Sequence, residues 1–187
     1  MSRRPTTWGR GLLVGVLAAV LVVACGGSGD GSTPPLRVDL IDEALAAVTD
    51  TGADELGYFE VNATTDLVNL FVATDLDGVP NPDGRPDAVV KYVYLADGGL
   101  QEPLEPVGAT GPVFRVDEVD FDADDVLSTV VDELPDSTPV MFVITSAGST
   151  EVESDRVEYR VTMLSDRGGE LSVVVTDSGE IVGTDAM

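Results

Sequence analysis

The stretch Val157-Glu158-Tyr159-Arg160-Val161-Thr162-Met163-Leu164 shows the clearest β-strand pattern in this chain of 187 residues. Its apolar side chains alternate with Glu158, Arg160 and Thr162. Successive side chains of a strand point to opposite faces, so this alternation predicts one face on a core and one face on solvent. The pattern therefore predicts an antiparallel sheet, with the valine, tyrosine and methionine side chains of this strand turned inward.

Four further segments are rich in Val, Tyr and Phe and are bounded by turn-forming residues, which predicts strands. They are residues 67–74, 88–95, 140–145 and 171–176. The sequences Asp97-Gly98-Gly99 and Asp166-Arg167-Gly168-Gly169 follow two of the predicted strands and are typical of tight turns. The strands are therefore expected to connect mainly as antiparallel neighbours.

Two other segments carry apolar residues at helical spacing. The apolar positions of the first are Leu40, Ile41, Ala44, Leu45 and Val48, and those of the second are Val126, Leu127, Val130, Val131 and Leu134. Asp39 and Asp122 precede these stripes and are the predicted N-caps, while Pro135 is the predicted stop of the second helix.

The order of these elements predicts an approximate internal repeat. Phe71-Val72-Ala73-Thr74 matches Phe142-Val143-Ile144-Thr145, and each follows a helix with the same kind of apolar stripe. The first half has the longer connection between helix and matched strand, and Tyr58-Phe59-Glu60-Val61 within it predicts one more strand. We therefore expect an α+β fold made of two similar halves, residues 37–112 and 113–187, each a helix followed by three or four antiparallel strands.

Four segments carry a resemblance to a known type of protein. They are Leu40-Ile41-Asp42-Glu43-Ala44-Leu45, Thr51-Gly52-Ala53-Asp54, Val119-Asp120-Phe121-Asp122-Ala123 and Asp177-Ser178-Gly179-Glu180-Ile181-Val182. Together they resemble small lipoproteins of high-GC Gram-positive bacteria with tandem PepSY-like or beta-lactamase-inhibitor-like α+β repeats. The resemblance implies helices packed on a curled antiparallel sheet, and it implies no catalytic residue.

The amino terminus has the composition of an export signal. Arg3, Arg4 and Arg10 precede an apolar segment at residues 11–23, which is shorter than the roughly 20 residues of a membrane-spanning helix. The segment is followed by Ala24 and then by the only cysteine of the chain, Cys25.

Val22, Val23, Ala24 and Cys25 resemble the lipobox of bacterial lipoproteins. The resemblance implies cleavage after residue 24, a diacylglycerol attached to Cys25, and residence on the outer face of the cell membrane. Residues 25–36, rich in Gly, Ser and Pro, are then predicted to be a flexible linker. The alternative is an ordinary secretory signal or an uncleaved anchor, in which Cys25 has no special role.

The charge and the residue types exclude several classes of function. The chain has 34 acidic and 10 basic residues and a net charge of −24, so nucleic acid and anionic lipid surfaces are poor partners. It contains no histidine, which excludes Ser-His-Asp triads and most zinc sites. No nucleotide-binding glycine motif is present, and we expect no cofactor apart from calcium, considered next.

One acidic loop, residues 75–87, resembles a calcium-binding loop of extracellular repeat proteins. Its candidate ligands are Asp75, Asp77, Asn81, Asp83 and Asp87. Calcium takes about six to eight oxygen ligands from flexible loops, which suits this composition. However, Val79 occupies the position of the first ligand, and the glutamate of an EF-hand is missing. The alternative interpretation is a hairpin loop whose acids face water.

Asp50-Thr51-Gly52 spells the tripeptide of aspartic proteases, and Ile181-Val182-Gly183 is loosely similar to their later hydrophobic motif. Those enzymes need two carboxylates close together on loops that follow buried strands. Here the tripeptide follows a predicted helix, so Gly52 is better explained as a helix-ending turn residue.

These observations favour a membrane-anchored, extracytoplasmic lipoprotein that acts as a non-enzymatic binding module. Its expected partners are the membrane, through the lipid, and an envelope protein or peptide. The alternatives are an envelope hydrolase that uses carboxylates, such as one centred on Asp50, and a calcium-binding surface protein.

Overall fold

The computed structural model describes residues 35–78, 85–147 and 157–186. These residues form two α-helices, α1 (Ile41–Thr49) and α2 (Ala123–Glu133). They also form nine strands: β1 (Tyr58–Ala63), β2 (Leu67–Thr74), β3 (Ala88–Leu95), β4 (Gly99–Leu100), β5 (Val107–Gly108), β6 (Ser137–Ser146), β7 (Val157–Ser165), β8 (Glu170–Val175) and β9 (Ile181–Ala186). The fold is therefore a mixed one in which an antiparallel sheet predominates, compatible with the α+β prediction.

All the strands belong to one antiparallel sheet with the order β4-β3-β2-β1-β6-β7-β8-β9, and β5 pairs with β3. The two predicted halves meet where β1 pairs with β6, with Val61 opposite Ile144 and Ala63 opposite Phe142. On either side of this junction the chain runs as a meander in which each strand except β5 pairs with its neighbour along the chain. The sheet is therefore continuous through both predicted halves.

The core lies between the helices and one face of the sheet. Across the centre of that face runs a row of paired residues: Tyr92, Leu70, Val61, Ile144, Tyr159 and Val175. Helix α1 buries Ile41, Ala44, Leu45 and Val48 against this side, and α2 buries Val126 and Val130. The apolar stripe predicted for α1 therefore faces the sheet, and so does the stripe of α2 except for Val131, which is 40% exposed.

An aromatic cluster packs the segment before α2 onto the second half of the sheet. The ring of Phe121 lies 5.1 Å from that of Phe142 and 5.5 Å from that of Tyr159, measured between ring centroids. The Tyr159 hydroxyl accepts a hydrogen bond from the Asp120 N–H and donates one to the Asp120 carbonyl oxygen, both at 2.9 Å. Burial raises the pKa of Tyr159 because it disfavours the ionised phenol.

The two helices begin differently, and only one predicted N-cap is confirmed. Asp122 caps α2 as expected, since its carboxylate accepts a hydrogen bond from the Asp125 N–H at 3.1 Å. Asp39 is not a cap: it lies inside a short 3₁₀ turn, Val38–Leu40, and its carboxylate pairs with Arg37 at 2.9 Å. Arg37 offers the Asp39 carboxylate a charged partner, which is favoured over the backbone N–H of the first helical turn.

The five segments predicted as strands all form strands, and the additional strand predicted at residues 58–61 is β1. Three further strands, β4, β5 and β9, were not predicted. By order along the chain, β6 is the first strand after its helix and corresponds to β1, although its sequence matches that of β2.

Candidate functional site

The helices cover one face of the sheet, and we call the opposite face the open face. Its two central rows of paired residues are Lys91-Phe71-Glu60-Thr145-Glu158 and Val93-Asn69-Asn62-Val143-Arg160-Val174. No helix of the described ranges packs against it, because the buried residues of α1 and α2 all belong to the core on the other side. The open face is thus a face of the sheet that no helix in this part of the chain covers.

Although it faces away from the core, the open face contains polar side chains that are almost fully buried. Asn62, Thr162 and Ser172 are each less than a tenth exposed, at 6%, 7% and 6%. Thr162 was predicted to face out, and it does lie on the open face, but its neighbours shield it. These residues are therefore buried by the side chains around them on the sheet.

A pocket of about 550 Å³ opens on the second half of this face. Met141, Val143 and Val140 supply apolar atoms, while Arg160 and Glu170 supply opposite charges. The volume is within the range of small ligand sites, roughly 300–1,000 Å³. The open face therefore includes a concave site as well as a flat surface.

A chain of side-chain hydrogen bonds crosses the middle of the open face. The Asn69 amide donates to the Asn62 carbonyl oxygen at 2.8 Å, and the Asn62 amide donates to the Glu60 carboxylate at 2.6 Å. Because Asn62 uses its oxygen as acceptor and its nitrogen as donor, the orientation of its amide is determined by both neighbours. The network holds the half-buried Glu60 carboxylate in one place.

The two cationic side chains of the open face already have partners. Arg160 forms an ion pair with Glu158. The Lys91 ammonium lies 5.5 Å from the centroid of the Phe71 ring, within the range of a cation–π interaction. Among the described residues, no ion pair involves Glu60.

The charge of the open face contrasts with that of the helices. Helices α1 and α2 together contain six acidic residues and no basic residue. The open face has four carboxylates, Glu60, Glu158, Glu170 and Asp185, and two cations, Lys91 and Arg160. This face therefore has a net charge of −2, against −6 for the two helices, and it also carries half-buried apolar side chains such as Phe71, Val93 and Val143.

The structure describes only part of the predicted calcium loop, since Asn81 and Asp83 lie outside the described residues. Asp87 accepts a hydrogen bond from the Leu76 N–H at 2.7 Å, and Asp77 has a positive φ of 57°. Asp75 also has an interaction partner. In the described ranges no three acidic or cysteine side chains cluster closely enough to hold a metal ion. Calcium binding stays a prediction.

Asp75 and Gly78 line a second pocket, of about 400 Å³, at the end of the sheet where β2 finishes. Near it, the buried Tyr58 hydroxyl has no hydrogen-bond partner in the described part of the chain. The adjacent Thr49 donates instead to Asp54 at 2.7 Å. Burial, and then the nearby Asp54 carboxylate, raise the pKa of Tyr58 far above its usual range, and the adjacent Thr49 hydroxyl offsets this rise only in part.

The aspartic protease tripeptide lies at the end of α1. Asp50 is the exposed C-cap residue of the helix, and Gly52 has the positive φ, 73°, expected of a helix-ending glycine. Ile181-Val182-Gly183 belongs to β9 at one edge of the sheet, whereas α1 contacts β2 and β4 near the other edge. The two motifs are therefore separated by most of the sheet.

The predicted lipobox residues, Val22, Val23, Ala24 and Cys25, lie outside the described residues. Neither helix in the described ranges has the length and apolar character that a membrane crossing requires. Comparisons with protein-family models, with curated proteins and with solved structures found no match to this chain.

Sequence reasoning did not identify the residues that distinguish the open face. Asn62 and Asn69 lie in different strands, and their contact depends on the register between β1 and β2. A polar residue at alternate strand positions is the ordinary mark of a solvent face, so neither asparagine carried a signal by itself.

Proposed function

We propose that this chain is a lipid-anchored extracytoplasmic binding module without catalytic activity, and that its open face holds a protein partner. The observation that carries the proposal is the contrast between helices that carry only acidic charges and an open face that combines apolar side chains with charges of both signs. Protein interfaces combine apolar contacts with hydrogen-bonding polar groups, and this face offers both. The half-buried apolar side chains of this uncovered face are available to a docking partner.

The placement of the carboxylates supports a non-enzymatic role. Asp50 is exposed at a helix end, and the chain has no histidine to serve as a general base. The half-buried Glu60 is held by an asparagine amide rather than by a second carboxylate, so it lacks the pair on which acid hydrolases depend.

The anchor is proposed from the sequence of residues 22–25 alone. Two acyl chains give stable membrane attachment, whereas one gives only marginal binding. Changing Cys25 to Ala should release the protein from the membrane fraction or leave it uncleaved. An unchanged mass and unchanged fractionation would contradict lipidation.

We also propose that the chain is an approximate tandem repeat. The support is that each half places a helix before a meander of antiparallel strands, and that the first strands of the two meanders pair at the junction. This arrangement has the order expected of two equivalent units related by a two-fold axis through the β1–β6 pair.

A matched pair of photo-crosslinkable variants tests the binding role in cells. One carries the probe in place of Val143 on the open face, and the other in place of Val131, which is 40% exposed on α2. We expect the probe at Val143 to form a discrete protein adduct and the probe at Val131 to form none. An adduct from Val131 alone, or from neither position, would contradict the proposed use of the open face.

A further inference from the structure

The open face contains a carboxylate that is positioned without being neutralised. Glu60 is half-buried, and one of its oxygens accepts the hydrogen bond from Asn62. That bond comes from a neutral amide, so the negative charge remains. Because no counter-charge lies against it, the carboxylate can accept a charge-assisted hydrogen bond from a cationic partner.

No neighbour of Glu60 across the sheet supplies a positive charge to pair with it. Across the sheet it is flanked by Phe71 and Thr145, neither of which carries a charge. Lys91 is one strand further away and lies over the Phe71 ring. This cation, in the same row of the sheet as Glu60, thus lies over the intervening ring rather than pairing with Glu60.

We propose that Glu60 receives a lysine or arginine side chain from the protein that docks on the open face. This proposal rests on the proposed function, and it names the chemistry of the partner: an apolar surface with a basic side chain at its centre. The amides of Asn62 and Asn69 act as positioning groups that keep the carboxylate oriented. A carboxylate held in advance loses little freedom when a charged donor arrives.

The overall charge of the chain favours the same partner. A net charge of −24 attracts basic proteins and repels acidic ones at long range, and it speeds association with the former. The open face is less acidic than the helices, so a partner with one central basic group and an apolar surround fits this face better than a uniformly basic one.

A second copy of this chain is a poor candidate for the partner, because its basic side chains are already engaged. Within the described ranges Arg37, Arg160 and Arg167 pair with acids, and Arg115 donates to the Glu55 carbonyl oxygen. Lys91 lies over Phe71, and Arg85 also has a partner. Two such chains would in addition repel each other through their net charge.

The test uses the ¹⁵N-labelled full chain in non-ionic detergent and a defined probe, the peptide acetyl-Val-Arg-Val-Arg-Val-amide. The control peptide has glutamine in place of both arginines. We expect saturable shifts of the side-chain amide signals of Asn62 and Asn69 with the arginine peptide, weakened by salt, and none with the control. Shifts confined to residues of α1 and α2 would mean general attraction to acids and would overturn the proposal, as would no shift at all.

Two variants separate charge from structure. Glu60→Gln keeps an oxygen that can accept from Asn62 but removes the charge, and we expect at least about tenfold weaker binding, the loss typical of one charge-assisted hydrogen bond. Glu180→Gln makes the same change at an exposed turn and should leave the affinity unchanged. Asn69→Ala keeps the charge but removes one support, and should weaken binding by a smaller factor. Equal affinity for Glu60→Gln and wild type would overturn the proposal.

The in-cell experiment distinguishes this inference from the proposed function. If the probe at Val143 forms its adduct equally well in the Glu60→Gln background, the open face binds a partner but the inference about a basic side chain is wrong. If no adduct forms in any background, the proposed function is wrong, and the peptide titration still decides whether Glu60 recognises a cationic group.

Discussion

Two core tyrosines differ in that the hydroxyl group of one is hydrogen-bonded and that of the other is not, so removing the two hydroxyl groups should have different effects on stability. The Tyr159 hydroxyl bonds both the N–H and the carbonyl oxygen of Asp120 at 2.9 Å. The Tyr58 hydroxyl is buried without a partner among the described residues. Both rings lie in the core, with Tyr58 0% and Tyr159 5% exposed.

The change to phenylalanine isolates the hydroxyl in each case. Tyr159→Phe removes two hydrogen bonds and frees the segment that leads into α2, which should destabilise the protein by about 2 kcal/mol. Tyr58→Phe removes a polar group that was desolvated without compensation, so it should leave stability unchanged or raise it by up to about 1 kcal/mol. In melting temperature, a loss of about 2 kcal/mol corresponds to about 4–8 °C for a domain of this size.

Urea unfolding followed by far-ultraviolet circular dichroism at pH 7 measures both variants against wild type. The reasoning requires Tyr159→Phe to lower the midpoint and Tyr58→Phe to leave it in place or raise it, with the same slope in both. If Tyr58→Phe were as destabilising as Tyr159→Phe, its hydroxyl would have a partner after all, and the account of both sites would be wrong.

Three further outcomes are expected. Gly179→Ala should destabilise the protein by more than about 2 kcal/mol and Gly168→Ala by only about 1 kcal/mol. Both glycines have a positive φ, but only the Cβ added at residue 179 would meet another atom, the Val126 Cα at 2.8 Å. Equal losses of stability in urea unfolding would contradict that close approach. Stability should fall as the pH rises above about 10, because the raised pKa of Tyr58 favours its neutral form in the folded state. Circular dichroism against pH should show that Tyr58→Phe loses less stability at alkaline pH than wild type does. An equal loss of stability in the two proteins would refute this cause. If loop 75–87 binds calcium, saturating calcium should raise the melting temperature of wild type but not that of Asp83→Ala. The calcium hypothesis would be wrong if wild type showed neither a shift in melting temperature nor a heat of binding.

Local patterns were sufficient to predict most elements of this fold. The alternation at residues 157–164 predicted β7, and the observed burial of Val161 and Met163 follows it. The apolar stripes predicted both helices because a helix must turn one face to the core. The predicted N-cap is confirmed at Asp122 of α2 but is wrong at Asp39, because Asp39 pairs with the nearby Arg37 instead of capping α1.

The strand order and the sheet edges could not be read from the sequence. The pairing of β1 with β6 joins segments far apart in the chain, and no local pattern specifies it. The β3 edge is covered by an irregular strap in which Gln101 and Leu104 donate to the Val93 and Lys91 carbonyl oxygens. Such a strap protects an edge through backbone hydrogen bonds, which any sequence can make.

Strand propensity explains part of the charge contrast between the helices and the open face, because aspartate and glutamate are disfavoured in strands. It does not explain Asn62 and Asn69, since asparagine is disfavoured there as well, and both lie in strands paired on both sides. Each contributes one hydrogen bond to a network whose end point is Glu60. If the open face only faced water, Thr or Val at both positions would pair better across the strands. The two asparagines are therefore best explained by the carboxylate that they position, which makes Glu60 the residue on which a binding role for the open face depends.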